Sequence, residues 1–232
     1  MKSKFCVLSL GLLLCILSAS QAPALDTVIG KTGIALNGER EHVRTQETNL
    51  GNLVCDAIRY FTGADMALYN GGGIRSGART GEITLEQAME ILAFDNEVVI
   101  LEVSGSDMFE ILEYGVGNYG EVDGRFPQVS GFRFYIDPAA PVGERVTDII
   151  FCGLPIDPEM TYSLATNGFL ASGGDGYSML KDAVQAKKAD MTDQLMFIRY
   201  LQEFSPVFPM VEGRIAVKPD NRCSPHEQES NR

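Results

Sequence analysis

Two glycine runs in this sequence, each set just past a strand end, stand beside polar or charged side chains and could let a ligand approach the backbone closely. In Asn70-Gly71-Gly72-Gly73-Ile74-Arg75 the glycines let a ligand approach the backbone, and the amides together with the Arg75 guanidinium suit phosphate oxygens. In Phe169-Leu170-Ala171-Ser172-Gly173-Gly174-Asp175-Gly176 a carboxylate sits among glycines a few residues from an aromatic ring. Either run taken alone also fits an ordinary turn, because glycine punctuates loops generally. Metal chemistry is poorly served. A site that holds two metal ions about 3.5–4 Å apart draws its ligands from clustered Asp, His and Asn side chains. His42 and His226 are the only histidines, and no Cys/His spacing suggests zinc.

These runs need a framework that fixes them. Leu50, Leu53, Val54, Ala57, Ile58 and Phe61 recur at helical spacing, with Asn49 available as N-cap. Ala67-Leu68-Tyr69 reads as a short buried strand ending on the first glycine run. Thr84-Leu85-Glu86-Gln87 has the form of a capping box for a helix to about Leu92. Val98–Val103 reads as a strand, and Ser106 is placed to cap a helix carrying Met108, Ile111 and Leu112. Residues 132–136 and 146–151 read as paired strands, and 162–166 as a strand leading to the second glycine run. Thr192 caps a helix over 193–202, and 213–217 forms a last strand. Helices and strands intersperse without strict alternation, which predicts an α/β domain of α+β type, a mixed β-sheet with helices packed on it.

The chain ends suggest an exported domain. Lys2 and Lys4, an apolar stretch from Phe5 to Leu17 and a small-residue segment ending Ala22-Pro23-Ala24 have the order of a secretory signal over residues 1–24. The apolar stretch falls short of the ~20 residues of a membrane span. The expected destination is periplasmic or extracellular. Residues 25–218 then form one domain, followed by a polar tail, 219–232, that is expected to be disordered. A net charge of −12, which loss of Lys2 and Lys4 makes more acidic, argues against nucleic acid and anionic membrane as partners. An anionic ligand therefore requires a local basic pocket. With Cys6 and Cys15 in the signal, Cys55, Cys152 and Cys223 cannot all pair; Cys55 reads as a buried thiol, and Cys223 could pair with Cys152 or another chain.

Taken together, Arg44-Thr45-Gln46-Glu47-Thr48-Asn49-Leu50-Gly51-Asn52-Leu53, then Asn70 to Arg75, Phe94, and Phe169 to Gly176 resemble the C-terminal domain of the 5′-nucleotidase family, over nearly the whole span from Val28 to about Val217. In that family a separate metallophosphatase domain holds two metal ions and the C-terminal domain supplies the substrate pocket. The resemblance implies that Phe94 and Phe169 sandwich a nucleobase, that Asp175 accepts hydrogen bonds from ribose hydroxyls, that Asn70 lies near the base with Gly73 shaping the loop, and that Arg44 and Arg75 face phosphate. Arg40 falls one helical turn or two strand pairs before Arg44 and serves either as a third phosphate ligand or as a solvated charge. Without the resemblance, each Phe would be read as core and Asp175 as a turn residue. The ligand so implied is an AMP-like nucleotide or nucleoside. No stretch resembles the family's metal-binding motifs, so the isolated chain is expected to need no cofactor and to be catalytically inactive. In the alternative it is the substrate-binding part of a phosphoric ester hydrolase, completed by a separately encoded metallophosphatase domain whose divalent ions do the chemistry.

Overall fold

The computed structural model describes residues 24–218; the expected signal, up to Pro23, and the tail from Pro219 lie outside them. The described chain opens with strand β1 (Val28–Thr32), a single helical turn α1 (Arg40–Val43) and helix α2 (Asn49–Thr62). Strand β2 (Met66–Asn70) leads into the first glycine run, after which β3 (Gly81–Thr84) and helix α3 (Leu85–Ile91) follow. Next come β4 (Glu97–Ser104), α4 (Gly105–Gly115), β5 (Pro127–Ser130) and β6 (Phe132–Ile136). Strands β7 (Val146–Phe151), β8 (Leu154–Pro155) and β9 (Thr161–Asn167) precede the short helix α5 (Gly168–Ala171). The described chain closes with β10 (Val184–Thr192), α6 (Asp193–Phe204) and β11 (Ile215–Val217).

The central sheet has the order β10-β4-β9-β2-β5. It is mixed, because β2 runs parallel to β9 while the other neighbours are antiparallel. Side-chain alternation divides its residues between two cores. Ala67, Tyr69, Val98, Ile100 and Ala165 point to the face covered by α2, α3 and α6. Met66, Leu68, Val99, Leu101 and Leu164 point to the face covered by α4 and a second sheet of order β11-β6-β7-β8. Strand β6 shows why that second sheet forms. Phe132, Phe134 and Ile136 alternate with more exposed residues, so one face is buried and the other is wet.

Two helix starts differ from the sequence reading. Thr48, not Asn49, caps α2: its side chain accepts from the Gly51 amide at 3.0 Å. Asn49 already has its place in the helix, and its amide instead holds the preceding loop, accepting from the Asn37 N–H and donating to the Ala35 carbonyl. Ser104, not Ser106, caps α4, forming a reciprocal box with Asp107 at the third helical position. The box at Thr84 and Gln87 and the cap at Thr192 form as the sequence indicates.

Candidate functional site

All the segments that carry chemistry meet at one edge of the central sheet. Parallel neighbours β2 and β9 both end there, at Asn70 and Asn167. Antiparallel β4 and β5 begin at the same edge, where Asn167 faces Val98 and Asn70 faces Pro127, and β10 ends opposite Glu97. In open α/β sheets the carboxyl ends of parallel strands are where ligands find room and free backbone. A pocket of about 290 Å³ lies at this edge. Arg44, Asn70, Gly73, Arg75, Phe94, Phe169 and Asp175 line it, so residues separated by as much as half the sequence become neighbours. Arg40 is not part of the lining; it is exposed on α1, one turn before Arg44. Gly72, Asn96 and Gly124 complete the wall, and none of these had been singled out individually from the sequence.

The two phenylalanines do not belong to the core. Phe94 is 60% exposed and Phe169 47%. Phe169 lies against Gly174 so closely that a Cβ added there would fall 2.6 Å from three ring carbons. Gly174→Ala is therefore expected to tilt the ring and weaken adenosine binding by about 1 kcal/mol, the cost of an off-rotamer side chain, with unfolding by urea little changed. Calorimetry with adenosine checks it. Phe94 sits in the loop after α3, and both ends of that loop are tied to the start of α6. The Gln194 side-chain amide donates to the Leu92 carbonyl at 2.9 Å, and the Asp193 N–H donates to the Asn96 carbonyl at 2.9 Å. The Arg75 guanidinium carbon lies 5.6 Å from the centre of the Phe94 ring, within cation–π range.

A directed series of hydrogen bonds sets the carboxylate. Asn167 caps α5, its Oδ1 accepting from the Leu170 N–H at 2.8 Å, so its NH2 must point the other way, to Asn70 Oδ1 at 3.0 Å. Asn70 in turn gives its NH2 to Asp175 Oδ2 at 2.7 Å. Asn70 is thus buried with both polar ends engaged, and one Asp175 oxygen is committed to it. Asp175 adopts φ 51°, unusual for a residue with a side chain, and Tyr114 holds that turn by donating its hydroxyl to the Asp175 carbonyl at 2.9 Å. Asp95, next to Phe94, also has positive φ at 48°. Strain of this kind collects where surrounding structure fixes a functional geometry.

The positive charge of the pocket is crowded. Arg44 has its pKa lowered first by burial and then by the neighbouring Arg40 and Arg75, so an anion would relieve repulsion already present. Its Nε is buried without a partner. Gln128, fully buried on β5, fixes the backbone on either side of Arg44: its NH2 donates to the Val43 and Gln46 carbonyls and its Oε1 accepts from the Thr48 N–H. The first glycine run works differently from the sequence reading. The amides of Gly71, Gly72 and Arg75 already donate to the carbonyls of Phe126, Gly124 and Ile91, so they are not a free cradle for phosphate. Gly71 is required because a Cβ would fall 2.0 Å from the Val43 carbonyl oxygen, at the turn that presents Arg44. The run packs the arginine segment against the sheet, which leaves the Arg44 and Arg75 guanidiniums as the cationic groups on the pocket wall.

Beneath the pocket, Asp193 is fully buried and accepts from the Tyr69 hydroxyl at 2.7 Å, the Asn96 NH2 at 3.0 Å and the Gln194 N–H at 2.6 Å. Burial raises its pKa above the ordinary carboxylate value, and these donors oppose the shift. Sequence reading missed Gln128, Asn96 and Asp193 because a lone polar side chain, even one among other polar residues at a helix or strand end, carries no spacing signal of its own. Among the described residues, no group of three or more His, Cys, Asp and Glu side chains is placed to hold a metal ion. No helix among them is long and apolar enough to cross a membrane. Cys55 is buried as expected and its thiol pKa is pushed well up by desolvation; Cys152 is exposed, and Cys223 lies outside the described residues.

Comparison with known proteins agrees with this architecture. The trifunctional nucleotide phosphoesterase protein YfkN of Bacillus subtilis is 37% identical over 197 residues, covering 81% of this chain and 14% of that protein. A snake venom 5′-nucleotidase of Macrovipera lebetinus is 35% identical over 209 residues, covering 81% of this chain and 51% of its own length. The crystal structure of a 5′-nucleotidase precursor from Thermus thermophilus superposes with a TM-score of 0.80 at 38% identity, covering 83% of this chain and 40% of that one. The chain thus spans about half or less of the length of these relatives. Residues 28–182 match the family described as 5′-nucleotidase, C-terminal domain, and it is to this family that the chain belongs.

Proposed function

We propose that this domain binds a nucleotide or nucleoside, with the base between Phe94 and Phe169, the ribose hydroxyls on Asp175, and phosphate on Arg44 and Arg75. Asn70 and Gly73 shape the wall, and Arg40 adds charge from the rim. The observation that carries this reading is a single pocket in an acidic protein that gathers two exposed aromatic rings, an oriented carboxylate and two guanidiniums. Each group suits one part of the ligand: rings stack on any base, a carboxylate accepts from hydroxyls, and guanidinium forks match phosphate oxygens. Titration calorimetry with AMP, ADP, adenosine and inorganic phosphate is the test. AMP and adenosine should both bind, AMP more tightly; silence towards all four would remove the proposal.

A second reading is favoured by the greater length of the relatives: the domain supplies the substrate pocket to a hydrolase whose metal-binding part is separate. The described residues do not fit a two-metal centre, so no step of hydrolysis is assigned to them. AMP offered to the purified chain with Mn²⁺, Co²⁺ or Zn²⁺ should not be turned over, whereas an added metallophosphatase domain should restore turnover in this second reading. We also propose that the chain is exported. The leader pattern and the similarity to venom enzymes support this, and N-terminal sequencing of the mature protein would show whether residues 1–24 are removed.

A further inference from the structure

Asn96 lines the pocket, yet its side-chain amide is not free to turn. Asp193, fully buried behind it, accepts from the Tyr69 hydroxyl at 2.7 Å and the Gln194 N–H at 2.6 Å, and a carboxylate of this kind can only receive further donors. The Asn96 NH2 meets that demand at 3.0 Å. Turning the amide over would set its carbonyl oxygen against the carboxylate oxygen in a buried place, leaving both without a donor. With its NH2 engaged by Asp193, Oδ1 is the amide atom Asn96 has left to offer a ligand in the pocket that it lines. An amide that could choose either orientation would serve bases with a donor or an acceptor at the edge it meets; this one is committed to one sign.

We propose that Asp193 is a positioning residue that fixes the polarity of the Asn96 amide, so that the pocket presents a hydrogen-bond acceptor and selects bases bearing an amino group over their oxo counterparts. The inference rests on the nucleotide-binding reading of the pocket but concerns which base is preferred. A site that pairs a polar edge rejects the analogue lacking it, because the protein group is then buried unpaired. The structural logic also says what a minimal change would do. In Asp193→Asn the new amide keeps its oxygen on the Gln194 N–H and turns its NH2 towards Tyr69 and Asn96. Asn96 then turns its own oxygen inward to accept and shows its NH2 to the ligand, and the preference reverses in sign.

The experiment compares adenosine, inosine and ribose 5-phosphate affinities for the parent protein and Asp193→Asn by calorimetry. The adenosine-to-inosine ratio should fall by about tenfold or more in the variant, while ribose 5-phosphate binds both proteins alike. An unchanged ratio, or a parallel loss of all three ligands, would show that Asp193 only supports the fold and would overturn the proposal. Should the variant not fold, the parent alone still decides. By NMR the Asn96 side-chain NH2 protons should exchange slowly with water and show contacts to the Tyr69 ring; fast exchange without those contacts overturns the fixed orientation. If the parent binds neither nucleoside, the nucleotide-binding reading falls, while the amide measurement still judges the role of Asp193.

Discussion

Phe169→Ala and Phe94→Ala are each expected to lower adenosine affinity by about 1–3 kcal/mol, the typical contribution of one stacking face per base. The loss should persist when salt is raised, since no net charge is involved. It should exceed that of Gly174→Ala, which leaves the Phe169 ring in place but displaced. The exposure of both rings matters here. Replacing a core phenylalanine would cost fold stability as well, whereas these two are solvent-facing and their replacement should leave the urea midpoint nearly unmoved. Calorimetry at two salt concentrations, beside an unfolding curve, separates the two cases. Unchanged adenosine binding in both variants would show that the base is not held between these rings.

Arg44→Ala should reduce AMP affinity by about 1.5–3 kcal/mol, the range for hydrogen bonds to a charged group, and leave adenosine affinity almost unaltered. Arg75 is exposed, so the effect of Arg75→Ala should be smaller and fade as salt is raised. Arg44 is only partly accessible, with Nε buried and its flanking backbone clamped by Gln128, so water and salt screen it less. Measuring AMP and adenosine for both variants across ionic strength gives the comparison. Equal losses for AMP and adenosine in Arg44→Ala would show that the arginine shapes the pocket and does not meet phosphate.

Much of the framework was legible because it is written in periodicity. The buried stripe of α2, the alternation of β6 and the capping box at Thr84 each express a repeating pattern that a single sequence carries. Strand β10 was not legible. It is an edge strand with mostly exposed side chains, Lys187 and Lys188 among them, so no apolar alternation marks it, and its pairing with β4 alone makes it a strand. Strand β5, all four residues buried, is too short and too polar at Gln128 and Ser130 to stand out. The pocket residues were recognisable as types in order. What could not be read was which polar atoms are already taken: that the amides of the first glycine run serve neighbouring carbonyls, that Asn70 is engaged at both ends, and that Asp193 stands behind Asn96. Those facts depend on contacts between segments far apart in the chain, such as Asn70 with Asp175 and Tyr69 with Asp193.

The meeting of five strand ends at one edge links ligand occupancy to the integrity of the whole domain. Arg44, the first wall residue in the chain, and Asp193, behind the wall, belong to opposite ends of the described sequence, and no continuous fragment much shorter than the domain contains both. A ligand that needs this wall binds the folded state and not the unfolded one, so it raises unfolding free energy by RT ln(1 + [L]/Kd), about 2.7 kcal/mol at a hundredfold excess over Kd. The melting temperature of the intact domain then becomes a direct reporter of ligand identity. A piece cut after residue 182, where the family match ends, would lack β10 and α6 and with them the anchors of the Phe94 loop, and should give no thermal response to a nucleoside.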